Sequence, residues 1–527
     1  MSKFLSPLEQ RSMRYLMTSL LALVAMQQGL RAEELPRLVV YITVEDLRTD
    51  YLEQLQPLLG SGGFGRLMQE GKVYPRLSYP LAELNRASAT ATLHTGAYPA
   101  THGVERPVVW LPHAGRVQEL FYDTNYQGNY TRDSYSPKAL LVQTLGDRMK
   151  EASGGSSIVY SLSADAATAI AAGGWTANGA YWLDSRMAAW SSSSYYERMP
   201  ATLEAYNRSS DGPNKRLVSG QLAWSPLSRY TSPAESWSDW GRSFSHRYPS
   251  GDAQAFKRSA LANEEVTRLA LKLIDQGGYA ESKTPGLLAL SYSLDVAPEG
   301  QTSELSSEEV DAYVRLDRDL ASIVSELERK LGRGRCLIAL TGTGYSHYRR
   351  PRPKALEAHS GRFSAKKGAA LLNLYLSALH GQGSWVERCA DGRLYLNKKL
   401  AESRKLSLAS LQDESAAFLA EMEGVGAAVA GGRLMQGAAG ELALALRRAV
   451  HTRYQADVYW SLLPGWEVEE SADSPNLWLQ ALSVDTPCIL WGAGLTPKTF
   501  DYPILAAPDV VKAIARVLRI RPPNAAY

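Results

Sequence analysis

Four carboxylates stand at the ends of apolar runs. Glu45 and Asp46 close the run that starts at Arg37, and Asp295 and Glu299 follow the run Gly286–Ser293. If those ends converge, their oxygens suit one hard cation such as magnesium or calcium. The same acids serve as helix N-caps and solvated loop ends, the reading favoured if they do not meet. The histidines give no comparable pattern. His94, His102, His113, His246, His359, His380 and His451 are scattered, and only His347 falls near the end of a strand-like run. A single imidazole cannot build a two-metal site. Cys336, Cys389 and Cys488 are far apart and show no CxxC spacing. Cys336 and Cys488 lie in apolar runs and read as core thiols, with one disulfide plus a free thiol as the alternative. A last group is aromatic. Trp190, Tyr195, Tyr196, Trp224, Trp237 and Trp240 would make a stacking platform for sugars or cations, or would pack their own segment onto a core.

Buried strands and amphipathic helices must position these groups. Residues 37–45 are almost wholly apolar, as in a parallel strand covered on both faces. Further strands are expected at Ser156–Leu162, Gly286–Ser293, Cys336–Leu340 and Pro487–Trp491. Helices are expected over Ala139–Ala152, Ala260–Gln276, Ser307–Leu331 and Ala507–Leu518. The helix 307–331 places Tyr313, Leu316, Leu320, Ile323, Val324 and Leu327 on one face. Strands alternating with helices imply an α/β core with a mainly parallel sheet, helices on both faces, and ligands near one sheet edge. Residues 176–255 are rich in Ser, Trp, Tyr and Pro with weak periodicity, and read as a cap inserted over the core. Residues 346–450 read as a second inserted block.

Composition bounds the function. The 527 residues are 45% apolar and 21% charged, and 57 basic against 54 acidic residues leave a net charge of +3. Nothing there favours nucleic acid or an acidic membrane. With 12 Trp and 28 Tyr against 8 Phe, the aromatics suit partly wet surfaces and clefts. Arg11 and Arg14 precede the apolar run Tyr15–Met26, and Ala32 is a plausible cleavage point. Residues 1–32 therefore read as an export signal, with an uncleaved anchor as the alternative. The mature chain, 33–527, is expected to carry no transmembrane segment and to reach the periplasm, the cell surface or the medium.

Several stretches together resemble the alkaline phosphatase superfamily, closest to its threonine-nucleophile, PafA-type phosphatases and phosphodiesterases. Val44-Glu-Asp-Leu-Arg48 is similar to that family's Val-Asp-Gly-Leu-Arg start. His94-Thr-Gly-Ala-Tyr-Pro-Ala-Thr-His-Gly103 is similar to its Tyr-Thr-Gly-x-x-Pro-x-x-His-Gly segment. Asn178-Gly-Ala-Tyr-Trp182, Val314–Leu320, Leu394–Asn397 and Asp457–Trp466 follow in the family's order. The resemblance implies the superfamily's α/β fold. It also implies two zinc ions held by Asp and His, and a Thr that attacks phosphorus.

Position by position, the machinery implied by the resemblance is missing. The first ligand Asp falls on Glu45 and the nucleophile on Arg86, with Ser88 and Thr90 nearby if the alignment slips. An Asp-His ligand pair falls on Thr343 and Gly344, and an Asp-x-x-x-His pair on Val296 and Gly300, one residue from Asp295 and Glu299. The last His falls near Asn476, in a stretch with no histidine. The phosphate-gripping Lys and Arg fall near Asp165 and Ala167, and an Asn near Pro107. Arg86 could bind an anion bidentately or pair with Glu45 or Asp46. The pairing is favoured, because carboxylates without a metal want a cation.

Three readings follow. In the first, the chain is a pseudophosphatase with no cofactor. It binds a protein, a glycan or a phosphorylated ligand around Glu45, Asp46 and Arg86, or serves an envelope assembly. In the second, Glu45, Asp46, Asp295 and Glu299 hold a relocated metal, and Ser88 or Thr90 attacks the substrate. In the third, the aromatic cap binds glycan or peptide.

Overall fold

The computed structural model describes residues 35–231, 240–296, 305–347, 361–437, 439–463, 466–469, 481–500 and 505–526. The expected export signal lies outside these residues, as do Trp237, Glu299 and Asn476. Among the described residues, no helix is long and apolar enough to cross a membrane.

A ten-stranded sheet runs through the middle of the chain. Its longer strands are β1 (Leu38–Glu45), β2 (Val159–Ser163), β3 (Gly179–Leu183), β4 (Trp190–Ser193), β5 (Gly286–Ser293), β6 (Cys336–Gly342) and β7 (Cys488–Gly492). They lie in the order β7-β6-β1-β5-β2-β3-β4, with short strands added at both edges. From β6 to β3 all neighbours are parallel, while β7 and β4 run antiparallel to their partners. The mainly parallel sheet expected from the sequence is therefore present.

Strand β1 shows why its sequence is apolar throughout. Leu38, Val40, Ile42 and Val44 pack into the core on one face of the sheet, and Val39 and Tyr41 into the core on the other. On the first face lie α3 (Ala260–Gln276) and α4 (Ser307–Leu331); on the second lie α1 (Arg86–Thr95), α2 (Ala166–Gly173) and α7 (Asp509–Leu518). Helices α3 and α4 match their expected limits. Ser306 and Glu309 form a reciprocal capping box at the start of α4. The helix expected over 139–152 instead starts at Leu145, because Thr144 and Asp147 cap it there.

The second block has its own core. Val386–Ala390, Arg393–Leu396, Val458–Leu462 and Val425–Ala430 form a four-stranded antiparallel sheet, covered by α5 (Ala365–His380) and α6 (Leu408–Ala420). A buried ionic quartet ties it to the main domain. Arg393 Nη2 donates to Glu83 at 3.0 Å and to Glu105 at 2.9 Å, and Arg106 Nε donates to Glu83 at 2.7 Å.

Two expectations need correction. Residues 179–193 are not part of a cap: β3 and β4 are strands of the central sheet. The aromatic platform is not a surface either, for Trp190, Tyr196, Trp224 and Trp240 are buried. Trp224 donates its indole N–H to Asp311, a carboxylate that also accepts from Tyr230. These rings pack their segment onto the core, which leaves no exposed stacking face for sugar among them. The three cysteines are free thiols, with Cys336 and Cys488 buried as core residues.

Candidate functional site

The parallel register brings the critical residues side by side. Glu45 ends β1 opposite Ser293 at the end of β5, and Val44 faces Gly342 at the end of β6. Thr343, Gly344 and Tyr345 continue from β6 over the same edge. Across from them stands the N-terminus of α1, where Asn85 caps the helix by accepting from Ser88 N at 2.9 Å. The residue just inside that cap is Arg86.

Glu45 is saturated. One carboxylate oxygen accepts from Arg86 Nη2 and, at 2.6 Å, from Ser293 Oγ, while the other accepts from the Tyr345 hydroxyl. Arg86 Nη2 also reaches Ser293 Oγ at 3.3 Å. Burial works against the Arg86 charge, but Glu45 and then Asp165 outweigh it and raise its pKa. Burial, and then Glu45, likewise raise the Tyr345 phenol, which stays protonated and donates. The expected pairing of Arg86 with Glu45 is present.

Asp46 is different. It takes the left-handed conformation, φ 59°, which Asp tolerates better than most residues. Its backbone carbonyl accepts from Tyr313 Oη at 3.0 Å, and the same hydroxyl accepts from Arg48 N at 3.0 Å. Its side chain is buried, and Oδ1 has no hydrogen bond among the described residues. Burial pushes its pKa well up, with Glu309 and Asp295 adding to the effect.

Zinc ligands of the kind implied by the resemblance do not fit this geometry. Gly344 has φ 73°, and a Cβ there would meet the Tyr79 ring at 2.1 Å. A histidine at that position would displace Tyr79, whose hydroxyl donates to Gly342 O at 2.9 Å. Thr343 is buried with no partner for its hydroxyl among the described residues. No three His, Cys, Asp or Glu side chains among the described residues are placed to hold a metal. That includes Glu45 with Asp46 and Asp295. Glu299 lies outside the described residues.

The candidate nucleophiles are corrected too. Ser88 and Thr90 are wholly buried inside α1. Ser88 Oγ donates to Asn85 O at 3.2 Å, and Thr90 Oγ1 has no partner among the described residues. Neither hydroxyl can meet a substrate without unpacking the helix. His94 and His102 are also core residues, their imidazoles held down to about 3 by burial. Sequence reasoning missed Tyr345 and Ser293 as partners of Glu45. Ser293 was legible as the polar end of an apolar strand, whereas Tyr345 needed the path of the loop.

At the N-terminus of α2, where Asp165 acts on the charge of Arg86, lies a small cavity of about 100 Å³. Its wall includes Pro107, Asp165 and Ala167, the positions where the resemblance places the phosphate-gripping Lys, Arg and Asn. Asp165 caps α2, with Oδ1 accepting from Thr168 N at 2.9 Å and Thr168 Oγ1 at 2.8 Å. Carboxylates of Glu119 and Asp133 also face this cavity, together with Lys257, Trp182 and Tyr135.

Comparison with known proteins agrees with this architecture. The family described as type I phosphodiesterase / nucleotide pyrophosphatase matches residues 39–412. Alkaline phosphatase PhoV of Synechococcus elongatus is 25% identical over 509 residues, covering 93% of this chain and 91% of the relative. Alkaline phosphatase PafA of Elizabethkingia meningoseptica is 23% identical over 395 residues, 72% of each chain. The crystal structure of wild-type PafA superposes with a TM-score of 0.79 at 21% identity, covering 94% of this chain and 98% of that one. At that identity the superposition speaks for the fold.

Proposed function

The chain belongs to the type I phosphodiesterase / nucleotide pyrophosphatase family of the alkaline phosphatase superfamily, and we propose that it is a member in which binding has replaced hydrolysis. The observation that carries this reading is the saturation of Glu45 by Arg86, Ser293 and Tyr345. A carboxylate at a strand end is the natural metal ligand of such a site. Here a guanidinium supplies the positive charge instead, and it cannot polarise a bound oxygen or generate a nucleophile as a metal does. The relatives named alkaline phosphatase lend their fold to this reading and not their activity. The N-terminal pattern supports export, with the periplasm as the destination. The cleft beside Arg86 is the surface on which a ligand is held.

Two measurements on the mature protein, purified without chelators, test the proposal. Zinc and magnesium content would be determined by mass spectrometry. Hydrolysis of p-nitrophenyl phosphate and bis-p-nitrophenyl phosphate would be followed with each metal added. The expected outcome is no stoichiometric metal and no turnover above buffer. Turnover that saturates with substrate and requires one metal would sink the proposal and favour a relocated metal site around Asp46 and Asp295. The mass of the mature N-terminus would test export separately, with cleavage expected near Ala32.

A further inference from the structure

We propose that the cavity at the N-terminus of α2 binds a small zwitterion, an amino acid between glycine and serine in size. The inference rests on the binding reading above and names the ligand class for it. Charges of both signs face one small space. Glu119, Asp133 and Asp165 bring carboxylates, and Lys257 brings the ammonium. Two of the acids are already engaged. Glu119 accepts from Tyr135 Oη at 2.7 Å, and Asp133 accepts from Arg186 at 2.8 Å and from Thr131 at 3.1 Å. The helix cap uses only Oδ1 of Asp165, and Oδ2 has no hydrogen bond among the described residues.

The complementary donors are equally incomplete. Lys257 Nζ makes one hydrogen bond among the described residues, to Ser185 Oγ at 2.9 Å, and has two protons to spare. Burial lowers its pKa while the field of Asp165 opposes the shift, as for an ammonium that lacks a direct counter-ion. Trp182 walls the cavity, is 1% exposed, and its indole N–H meets no acceptor among the described residues. A buried donor left unpaired is costly, so an acceptor there is worth having.

An α-amino acid meets all three needs. Its ammonium pairs with Asp165 Oδ2, and its carboxylate accepts from Lys257 and the Trp182 N–H. A free phosphate would face three carboxylates. A simple ammonium would face Lys257 and leave the indole unpaired. The cavity is small, about 100 Å³, which favours the smallest amino acids.

The test is isothermal titration of the full mature chain with glycine, L-alanine and L-serine. Acetate, methylammonium and inorganic phosphate serve as half-ligand and anion controls. At least one amino acid should bind saturably, with each half-ligand weaker by about tenfold or more. Asp165→Asn keeps the helix cap but loses the charge, and Lys257→Met keeps the stem but loses the ammonium. Each should weaken binding by about tenfold while the circular dichroism spectrum stays unchanged. Ala167→Leu fills the cavity and should abolish binding. No amino-acid binding up to about 10 mM, or phosphate binding tighter than every amino acid, overturns the proposal. The phosphatase assay separates the two levels. Absence of both binding and turnover rejects this site and leaves the loss of hydrolysis standing, whereas turnover overturns both.

Discussion

Two clusters of buried charge serve this chain differently. The quartet of Glu83, Arg106, Arg393 and Glu105 lies where the second block meets the main domain. All four side chains are under 10% exposed. Glu83 is gripped by both guanidiniums, and Glu105 by Arg393 and the backbone N–H of His451. In the cleft, among the described residues, Arg86 pairs with Glu45, whose carboxylate also accepts from two hydroxyls. There the carboxylate is buried, but the Arg86 side chain is 30% exposed. The quartet is closed on every side and holds two layers together. The cleft pair is closed toward the core and open toward water, so it neutralises a carboxylate while leaving a surface on which a ligand can sit.

The largest expected effect breaks the quartet. Arg393→Leu leaves Glu83 with one cation and Glu105 with none of its side-chain partners. Stranding a buried charge in this way costs about 3–5 kcal/mol. Guanidinium unfolding should show this loss, and it should fall on the second block as much as on the main domain. A loss under about 1 kcal/mol would mean that water reaches these carboxylates and that the quartet is no more closed than the cleft.

Acid sharpens the contrast, because Glu83 of the quartet and Asp46 of the cleft respond with opposite sign. Burial would push Glu83 up, but Arg106 and then Arg393 outweigh it and hold it down to about 2. An unfolded Glu titrates near about 4.3, so this stabilisation is complete above that pH and is lost as pH falls toward 2. The shift corresponds to roughly 3 kcal/mol. Asp46 is raised, by burial first and then by Glu309 and Asp295. For a raised acid the penalty grows as pH climbs above the unfolded value of about 3.9, so acid relieves Asp46. His94 and His102, both held to about 3 by burial, add a decline that begins near about pH 6.5, where the unfolded imidazoles take up protons. Stability measured from pH 7 to 2 should fall most steeply below about 4.3. Glu83→Gln should lessen the slope of that limb, leaving the part that His94 and His102 contribute down to about 3. If the variant keeps the same slope below about 4.3, Glu83 does not contribute to it.

How much of this was legible in the sequence differs between the regions. The sheet and long helices were, because burial on two faces writes a continuous apolar run at Leu38–Val44 and a one-sided stripe writes α4. Strands β3 and β4 were not, since Ser191–Ser193 are small polar residues that are buried all the same. Composition could not separate an aromatic platform from aromatic packing, as Trp190 and Trp224 show. The pairing of Arg86 with Glu45 was legible from charge alone once both were placed at one sheet edge. The quartet was not, for Glu83 and Arg393 are 310 residues apart and only the second block's return brings them together. The cavity walled by Asp165, Lys257 and Trp182 was hidden for the same reason.

The smallest expected effect tests the cleft pair itself. Arg86→Ala removes the cation from Glu45 but leaves the donors Ser293 and Tyr345 in place. Because the arginine is partly solvated, its loss should cost about 1–2 kcal/mol, well below that of Arg393→Leu. The remaining penalty belongs to a buried carboxylate short of a counter-ion. Adding Glu45→Gln to Arg86→Ala should therefore recover most of the loss, because the amide keeps a carbonyl oxygen for a hydroxyl donor and carries no charge. A double-mutant cycle on urea unfolding would give the coupling, with about 1 kcal/mol or more expected between the two sites. The cycle also probes the space between them. If Arg86→Ala leaves stability unchanged and the variant gains stoichiometric zinc or magnesium, the guanidinium is a plug over a metal site that the fold still keeps. If the loss appears and no metal is taken up, Tyr79 against Gly344 and the buried Thr343 have closed that site independently of Arg86, and the exchange of metal for arginine is built into the strand ends.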